Sequence, residues 1–382
     1  MLRFLDAGES HGKGLVAIIE GFPSNVEIDI NRVNLQLARR QRGYGRGERM
    51  KIEYDQVEIL SGIRGGKTTG SPISMLIYNK DYKNWMDIMD IQKEYTGKIT
   101  VPRPGHADLN GILKYNLNDI RNVIERASAR ETAIRTAIGA ICMELLNKFD
   151  VKIVSRVLRI GKVEDLSRVD MSAEENIKRI EESQIRCFDA KIEKRMIEEI
   201  ELAKEKGETL GGEVEVIAYN IPCGLGSYSS YDRRMDYIIS GAIMSIQAVK
   251  AMEFGEGIMA SCSYGSEVND EIIVENDYYK RSTNYAGGIE GGITNGMPVV
   301  IKVYMKPIPT TRKGIKTVKL NGEEAISRYE RSDTCAVPSL GVVCENILAF
   351  EITKEFLNKF GGDSIEDIRN SYDFYLKRIS RR

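Results

Sequence analysis

The sequence predicts an α+β fold formed by one domain over residues 1–382. Short runs rich in valine and isoleucine, bounded by glycine or proline, are typical of strands, and between them apolar residues recur at helical spacing. No G-x-G-x-x-G turn follows a first strand, which disfavours a doubly wound dinucleotide-binding fold. With 42% hydrophobic composition and no Pro-, Ser- or Gly-rich linker, the chain can bury one large core.

Four apolar runs are predicted to be strands, because they are rich in β-branched residues and bounded by turn formers. They are GLVAIIEG at 14–21, SPISMLIY at 71–78, GEVEVIAYNI at 212–221 and MPVVIKVYM at 297–305. A helix is predicted over 131–149, where apolar residues return every three or four positions and share one face. A second helix is predicted over 236–253, which is apolar nearly all round and is therefore placed in the interior. The charged stretch at 172–207 is predicted to form an amphipathic helix or helix pair with a solvated face.

The charge and cysteine content exclude several classes of protein. Lys and Arg number 55 against 56 Asp and Glu, a balance that argues against a general nucleic-acid binder or a membrane-surface protein. The six cysteines show no metal-ligand spacing, so we expect reduced thiols and no metal site. The amino terminus lacks a charged lead before a long apolar run, and no stretch approaches the roughly 20 apolar residues of a membrane span. We therefore expect a cytoplasmic protein that meets any anionic partner locally.

A basic loop at 38–51, ARRQRGYGRGERMK, separates its arginines with glycines rather than with helix formers. In such a loop the guanidinium groups can converge on a phosphate or a carboxylate with bidentate geometry. Two other interpretations are open, a solvated basic helix face and an RNA-binding arm. Only Tyr44 is available to stack on a base, whereas single-strand binders interleave more aromatic residues. A small ligand with several anionic groups is therefore favoured over RNA.

Both histidines of the chain lie in glycine-containing loops. His11 follows Ser10 in GESHGKG at 8–14, where glycines allow tight turns beside a hydroxyl and an imidazole. His106 lies in PRPGHAD at 102–108, where two prolines stiffen the turn, as positioning of a catalytic imidazole requires. The plain alternative in each case is a turn with an incidental histidine, since such turns are common in loops without chemistry.

The stretch ERASARE at 125–131 precedes the first predicted helix and offers cationic side chains to a ligand. Ser128 and Glu131 have the spacing of a capping box, which alone would explain both residues. Arg126 and Arg130 would then be free to bind an anion at the positively polarised start of the helix.

Two further stretches complete the set of anion-binding candidates. TNYAGGIEGGITNGMP at 283–298, followed by KPIPTTRK at 306–313, can lay backbone amides against a flat or phosphorylated ligand. Hairpin turns explain the glycines of this stretch equally. RSDTC at 331–335 places an arginine two residues before a carboxylate, ahead of another helix-like run.

These stretches, taken together, closely resemble the chorismate synthase family. The resemblance rests on motifs that occur in family order and span nearly the whole chain: GESHGKGL, RRQRGYGRGERMKIE, RPGHAD, ERASARETA, GGEVEV followed by GLGSY, MSIQAVKAMEFGEG, AGGIEGGITNGMP and KPIPT. Eight motifs in order are far more specific than any single glycine-rich loop.

The resemblance implies a lyase that eliminates phosphate, in the anti sense, from 5-enolpyruvylshikimate 3-phosphate to give chorismate. It implies reduced FMN as cofactor with no net redox change, and NADPH only if the enzyme reduces its own flavin. It further implies a β-α-β sandwich with helices packed between antiparallel sheets, and a homotetramer built as a dimer of dimers.

The resemblance also implies roles for individual residues. Three are catalytic: His11 as proton donor to the departing phosphate, His106 as proton partner of the reduced flavin, and Asp333 as the group that helps take up the substrate hydrogen. The substrate-binding residues implied are Ser10, Arg40, Arg46, Arg49, Arg103, Ser128, Arg130 and Arg331. The flavin-binding residues implied are Arg126, Ala127, Ser128, Gln247, Ala248, Gly291, Lys306, Pro307, Ile308, Pro309, Thr310 and Arg331.

Some positions depart from the family pattern, and two other functions stay open. Ser332 stands where many members have histidine, and Ala127 stands where others have serine. One alternative is an RNA-binding protein that uses the arginine-rich loop; it predicts a steep salt dependence of polymer affinity. The other is a flavin reductase, because Arg40 and Arg46 match positions associated with NADPH in the family.

Overall fold

The secondary structure is that of a computed structural model, which describes residues 1–47, 54–275, 278–330 and 332–380. Its strands are β1 Arg3–Gly8, β2 Gly14–Glu20, β3 Glu58–Ser61, β4 Ile63–Arg64, β5 Lys67–Thr68, β6 Ile73–Tyr78, β7 Lys152–Ile160, β8 Val163–Glu164, β9 Gly212–Tyr219, β10 Val249–Phe254, β11 Ile272–Glu275, β12 Tyr278–Arg281, β13 Ile289–Glu290, β14 Ile293–Thr294, β15 Val299–Met305, β16 Lys316–Val318 and β17 Glu324–Ile326. Its α-helices are α1 Ile30–Gln41, α2 Asp108–Tyr115, α3 Arg121–Ala127, α4 Thr132–Asn147, α5 Glu174–Glu182, α6 Ala190–Glu205, α7 Met235–Met244, α8 Gly257–Ala260, α9 Gly265–Val268, α10 Val337–Phe360 and α11 Ile365–Ile379. Short 3₁₀ helices cover Lys80–Asn84, Ala129–Glu131 and Tyr231–Arg233.

One layer is a four-stranded antiparallel sheet with the strand order β1-β2-β6-β3. Side chains alternate along β2, where Leu15, Ala17 and Ile19 are buried while Val16 and Ile18 are exposed. This period of two places one face of the sheet against the core. The runs predicted as strands at 14–21 and 71–78 are therefore confirmed as β2 and β6.

A second antiparallel sheet has the strand order β10-β15-β9-β7-β8. Its central strands β9 and β15 pair along their whole length, from Val299 opposite Ala218 to Met305 opposite Gly212. These two strands confirm the predictions at 212–221 and 297–305. Valine and isoleucine fill the pattern because branched side chains pack well on a pleated surface.

The helices α4 and α10 link the two sheets through packing contacts. α4 packs on β2 and β6, α10 packs on β7 and β9, and the two helices pack on each other. Gly139 of α4 permits this close approach, since a Cβ atom there would lie 2.1 Å from the carbonyl oxygen of Asn346. One hydrophobic core cluster extends from Leu2 to Tyr372. The mixed structure with antiparallel sheets agrees with the predicted α+β class.

The helix predicted over 236–253 is wrong beyond Met244. α7 ends at that residue, and the following apolar residues form β10, which pairs with β15. Ala248, between them, has a φ of 68°, a left-handed conformation that interrupts any α-helix. The predicted interior position is also wrong, because α7 buries one side only, through Met235, Ile239 and Ile243. An uninterrupted apolar run does not distinguish a helix from a strand, and pairing with β15 decided the outcome.

The other helix predictions are confirmed. The stretch at 131–149 forms α4, and its buried residues include Ile134, Ile138 and Ile141. The charged stretch at 172–207 forms a helix pair, α5 and α6, of which each helix turns a narrow apolar face inward. Asp189 caps α6, because its side chain accepts hydrogen bonds from the first backbone N–H groups of the helix.

Helix α10, 24 residues long, is buried over most of its circumference and has Pro338 in its first turn. It carries charged residues, among them Glu345, that are paired inside the core. Within the part of the chain that the structure describes, no helix is both long and apolar enough to cross a bilayer.

A buried ion-pair network joins α1, α5 and α10. Arg39 donates hydrogen bonds of 2.6 Å to Glu181 and Glu345, and Arg186 contacts the same two carboxylates. Burial opposes ionisation of Glu181, but the charges of Arg186 and Arg39 outweigh it and lower its pKa to about 2. Arg39 is therefore a paired residue of the core and is not available to bind RNA.

Candidate active site

The loops singled out in the sequence converge on one cavity of about 980 Å³. It lies where the turn after β1, the end of α1, the 102–108 loop, the end of α3 and the segment after β15 meet. The residues predicted from the sequence that line it are Ser10, His11, Arg40, Arg46, Arg103, His106, Ala127, Ser128, Arg130, Gln247, Ala248, Lys306, Ile308, Pro309, Thr310 and Asp333. Segments from nearly the whole chain thus meet at one place.

Other predicted residues are not part of this cavity wall. Arg126 is largely exposed and pairs with Asp6 at 3.0 Å, and Gly291 lies in the turn between β13 and β14. Pro307 does not line the cavity, although its neighbours on both sides do. Arg49 and Arg331 lie outside the described residues.

His11 is held by a buried carboxylate. Its Nδ1 lies 3.0 Å from both oxygens of Glu125, and its backbone N–H donates to Glu125 at 2.8 Å. Burial opposes ionisation of Glu125, but the hydrogen bonds from His11 and the charge of Arg121 outweigh it and keep its pKa below the usual value. An ionised carboxylate only accepts hydrogen bonds, so the proton of this contact resides on Nδ1.

His106 has a similar partner. Its Nδ1 lies 2.5 Å from Oδ1 of Asp108, and the Nε of Arg103 donates to Oδ2 of the same carboxylate at 2.9 Å. Burial opposes ionisation of Asp108, but the hydrogen bonds from His106 and Arg103 hold its pKa well below the usual range. Arg103 also donates to the hydroxyl of Thr310 at 3.3 Å, which ties the 102–108 loop to the segment after β15.

Arg40 and Arg130 share a single buried carboxylate. Arg130 donates to Asp55 at 2.7 Å, and a nitrogen of Arg40 lies 3.6 Å from the same oxygen. Burial lowers the pKa of Arg40 to about 9; attraction by Asp55 opposes this shift, and repulsion from Arg130 adds to it. Nη1 of Arg40 and Nη2 of Arg130 are buried without a hydrogen bond to any described residue. This excess of buried positive charge favours an anionic ligand.

Arg46 and Asp333 form another charged part of the cavity wall. Nη1 of Arg46 lies 3.2 Å from Oδ2 of Asp333. Asp333 also accepts a hydrogen bond of 2.6 Å from the backbone N–H of Gly47. The basic loop and the RSDTC stretch, almost 300 positions apart in sequence, are joined by these contacts. Ser332 lines the cavity beside Asp333.

The two serines of the site lie together, since Ser128 donates to Ser10 at 3.3 Å. Ser128 also accepts from the backbone N–H of Arg130 and so caps the short 3₁₀ helix Ala129–Glu131. It does not cap α4, as predicted, because the N-cap residue of α4 is Glu131. Glu131 does not complete a capping box; its carboxylate accepts a hydrogen bond from Gln247 at 3.0 Å instead.

The turn at Gln247 and Ala248 forms the side of the cavity next to Lys306. The Oε1 atom of Gln247 is buried and has no hydrogen-bond partner among the described residues. Ala248 has the left-handed backbone that side chains rarely adopt, and its carbonyl accepts from the backbone N–H of Lys306 at 3.0 Å. The Nζ of Lys306 donates to the carbonyl of Gly105 at 2.6 Å. These contacts bring the 247–248 turn, the 306–310 segment and the His106 loop together.

Several residues of the site were not predicted. Glu125 and Asp108 lie in quoted motifs, but sequence gives no sign that each binds a histidine. Asp55 and Trp85 lie outside the motifs. The only sequence feature that could have drawn attention to Trp85 is that it is the chain's one tryptophan, and no feature pointed to Asp55.

Comparison with known proteins identifies the family. The sequence profile named "Chorismate synthase" matches residues 2–357. A chorismate synthase of Alkaliphilus oremlandii is 54% identical over 391 aligned positions that cover 100% of both chains, and one of Clostridium tetani is 50% identical over 100% of this chain and 99% of its own. A solved structure described as "Crystal Structure of Chorismate Synthase" superposes with a TM-score of 0.82 at 41% identity, covering 100% of this chain and 99% of that one. The chain therefore belongs to the chorismate synthase family, whose members are flavin-dependent lyases that form chorismate.

Proposed function

We propose that the cavity binds 5-enolpyruvylshikimate 3-phosphate together with reduced FMN and catalyses the anti 1,4-elimination of phosphate without net redox change. The observation that carries this proposal is the meeting of both histidines with buried arginines around one cavity of about 980 Å³. That volume lies at the upper end of the ~300–1,000 Å³ that is typical of ligand cavities. It therefore suits two ligands in contact better than one small substrate.

The substrate carries two carboxylates and a phosphate, which the arginines match in charge. Arg40 and Arg130 each offer a buried nitrogen that makes no hydrogen bond to a described residue. Bidentate guanidinium contacts to phosphate and carboxylate are the strongest hydrogen bonds available here. The substrate-binding set that we propose is Ser10, Arg40, Arg46, Arg49, Arg103, Ser128, Arg130 and Arg331.

The residues present fit a flavin. Gln247 offers a buried, unpartnered carbonyl oxygen that suits a ring N–H, and Lys306 supplies a cation beside the backbone of 306–310. The reduced flavin, when bound, supplies electron density that lowers the barrier to loss of a non-acidic ring hydrogen. The flavin-binding set that we propose is Arg126, Ala127, Ser128, Gln247, Ala248, Gly291, Lys306, Pro307, Ile308, Pro309, Thr310 and Arg331.

The proton steps fall to three residues. His11 keeps a proton on Nδ1 through Glu125, so its Nε2 is the atom that delivers a proton to the departing phosphate. His106 is held through Nδ1 by Asp108, which leaves its Nε2 to exchange a proton with the reduced flavin. The carboxylate of Asp333 takes up the hydrogen that leaves the substrate ring.

We infer a single domain over residues 1–382 with a β-α-β sandwich architecture. Its support is the packing of α4 on one sheet, of α10 on the other, and of the two helices on each other. We also infer the homotetramer of the family, built as a dimer of dimers. The outer face of the four-stranded sheet exposes large apolar side chains that a second copy would cover, namely Leu5, Val16, Ile18, Leu60 and Tyr78.

We place the enzyme in the cytoplasm, with no membrane or nucleic-acid partner. All six cysteines are free, as expected in a reducing compartment. Arg39 and Arg40, which an RNA-binding arm would expose, are instead tied to carboxylates and to the cavity wall. The comparisons give no support to the RNA-binding and flavin-reductase alternatives.

The dependence on NADPH is decided by two assays run side by side. One provides oxidised FMN with NADPH in air, and the other provides chemically reduced FMN without NADPH under anaerobic conditions. Turnover in the second assay alone makes the enzyme monofunctional; turnover in both shows that it reduces its own flavin, with Arg40 and Arg46 as NADPH contacts.

The residue roles are tested under the anaerobic conditions. We expect His11→Ala and His106→Ala each to lower kcat at least roughly a hundredfold, the usual loss of a general acid or base. Full activity in either variant would overturn the role assigned to that histidine.

A further inference from the structure

The only tryptophan of the chain, Trp85, is stacked on the imidazole of His11. The ring centroids are 3.7 Å apart and the ring planes differ by 23°. Trp85 is itself fixed, because its Nε1 donates to Asp81 at 3.2 Å and the guanidinium of Arg121 lies 5.1 Å from its ring centroid. Arg121 also donates to Glu125, the carboxylate that holds Nδ1 of His11, at 3.2 Å. The imidazole is thus held on one face and at one edge by residues that are linked to each other.

We propose that Glu125 and Trp85 are positioning residues that fix the imidazole of His11, with a proton on Nδ1, in the orientation in which it acts as an acid. This inference rests on the proposed role of His11. Glu125 is almost fully buried, so its negative charge acts on the imidazole with little screening by water. Contact with both oxygens of Glu125 fixes Nδ1 as the nitrogen that faces the carboxylate. Stacking on Trp85 prevents the ring from tilting out of line with the cavity.

Several charged groups surround His11. The charged groups near the imidazole are Glu125 and Arg121 of α3, Asp81 beside Trp85, Glu330 at 3.7 Å from Arg121, and Glu9 and Lys13 of its own loop. The side chain of Glu125 contacts the imidazole directly, at 3.0 Å from Nδ1. Arg121 pairs with Glu330 as well as Glu125, so its positive charge is shared.

The fluorescence of Trp85 also provides a direct measurement of the protonation state of His11. An excited indole in contact with an imidazolium is quenched by electron transfer to the cationic ring, whereas a neutral imidazole quenches far less. Because the chain has one tryptophan, its fluorescence in the ligand-free enzyme reports the protonation of His11 without any turnover.

The experiment is a pH titration of tryptophan fluorescence in the wild type, Glu125→Gln, Glu125→Asp and Glu9→Gln. Glu9→Gln is the matched control, because it removes an exposed carboxylate two residues from His11. We expect the midpoint to move about one pH unit lower in Glu125→Gln, as loss of a nearby opposite charge requires, and to stay in Glu9→Gln. Glu125→Asp keeps the negative charge on a shorter side chain, so we expect its midpoint to lie below that of the wild type by much less than one pH unit. If Glu125→Gln does not fold, this smaller decrease relative to the wild type is the test.

Activity provides the second readout. We expect Glu125→Gln to lower kcat at neutral pH at least tenfold, to recover partly at lower pH, and to change KM less than threefold. Trp85→Leu is expected to lower kcat about tenfold, and Trp85→Phe, which keeps an aromatic face, less than threefold.

Three outcomes would overturn the inference: wild-type fluorescence that does not titrate, equal midpoints in Glu125→Gln and the wild type, or equal kcat–pH profiles for the two. Failure of the proposed function can be told apart from failure of this inference. A wild type that forms no chorismate but shows the fluorescence shift would refute that function and leave the coupling of Glu125 to His11 intact.

Discussion

Nδ1 of His106 lies 2.5 Å from Oδ1 of Asp108, while Oδ2 of the same carboxylate accepts from both the backbone N–H and the Nε of Arg103. One fully buried carboxylate therefore orients both the imidazole of His106 and the guanidinium of Arg103, to which we assign a catalytic and a substrate-binding role. Six consecutive residues, 103–108, suffice for this arrangement, because the Pro-Gly turn of the 102–108 loop folds His106 back onto Asp108.

Removing this carboxylate is expected to weaken both stability and catalysis. Asp108→Asn should lower the free energy of unfolding by about 3 kcal/mol, because breaking a buried ion pair leaves Arg103 without its counter-charge. Urea unfolding of the purified protein measures this loss, and Asp87→Asn, an exposed carboxylate, is the control. An unchanged urea midpoint together with wild-type kcat would contradict the role given to Asp108.

The anion-binding role that we propose for Arg40 predicts a change in substrate affinity. Arg40→Lys should raise KM for 5-enolpyruvylshikimate 3-phosphate about tenfold to a hundredfold, because a charged hydrogen bond is worth ~1.5–3 kcal/mol and lysine cannot reproduce the guanidinium fork. Arg42→Lys makes the same change two positions away on an exposed side chain and should leave KM as it is. Steady-state kinetics under anaerobic conditions measures both. Equal KM values in the two variants would remove Arg40 from the binding set.

The contact between α4 and α10 predicts a stability effect. Gly139→Ala should lower the free energy of unfolding by about 2 kcal/mol, because the new methyl group would lie 2.1 Å from the carbonyl oxygen of Asn346 and force the helices apart. Gly241→Ala in α7 is the matched control, since no atom lies within 4 Å of a Cβ there. That variant should be neutral or more stable by up to ~1 kcal/mol through helix propensity. Thermal unfolding measures both, and a Gly139→Ala protein as stable as the control would show that the helices tolerate separation.

The network around Glu181 predicts part of the acid sensitivity. The folded protein lowers the pKa of Glu181 to about 2, below its ordinary value of 4.5, so its ion pairs stabilise the fold above about pH 4.5 and are lost as the pH falls towards 2. Glu181→Gln should therefore be less stable than the wild type at pH 7, and the difference should shrink below pH 4.5. Glu182→Gln, which removes a 68% exposed partner of Lys178, is the control and should have little effect. Urea midpoints at a series of pH values measure the difference; one that is constant with pH would contradict the assignment.

Local patterns predicted α4 and four strands, β2, β6, β9 and β15, because these elements bury one face or lie in short apolar runs. The stretch at 236–253 misled for a physical reason: its continuous apolar character suits a helix and a strand alike, and only β15, some 50 positions later, decides between them. Helix α10 gave only a vague helical signal, because burial on nearly every side removes the amphipathic period.

The site was predictable as a set of motifs but not as a network. Family motifs pointed to His11 and His106, since those positions can be matched one by one. Their partners Glu125 and Asp108 could not be assigned a role, because a carboxylate in a motif looks the same whether it binds a histidine, a cap or water. Asp55 reaches Arg130 across 75 positions, a contact that depends on tertiary structure alone.

The most direct test of this account is anaerobic turnover of 5-enolpyruvylshikimate 3-phosphate by the wild-type protein with chemically reduced FMN. Chorismate and inorganic phosphate should form in equal amounts, with no consumption of the reduced flavin. A protein that binds both ligands but releases no chorismate, or that consumes one reduced flavin for each product, would contradict the claim that this cavity performs an elimination without net redox change.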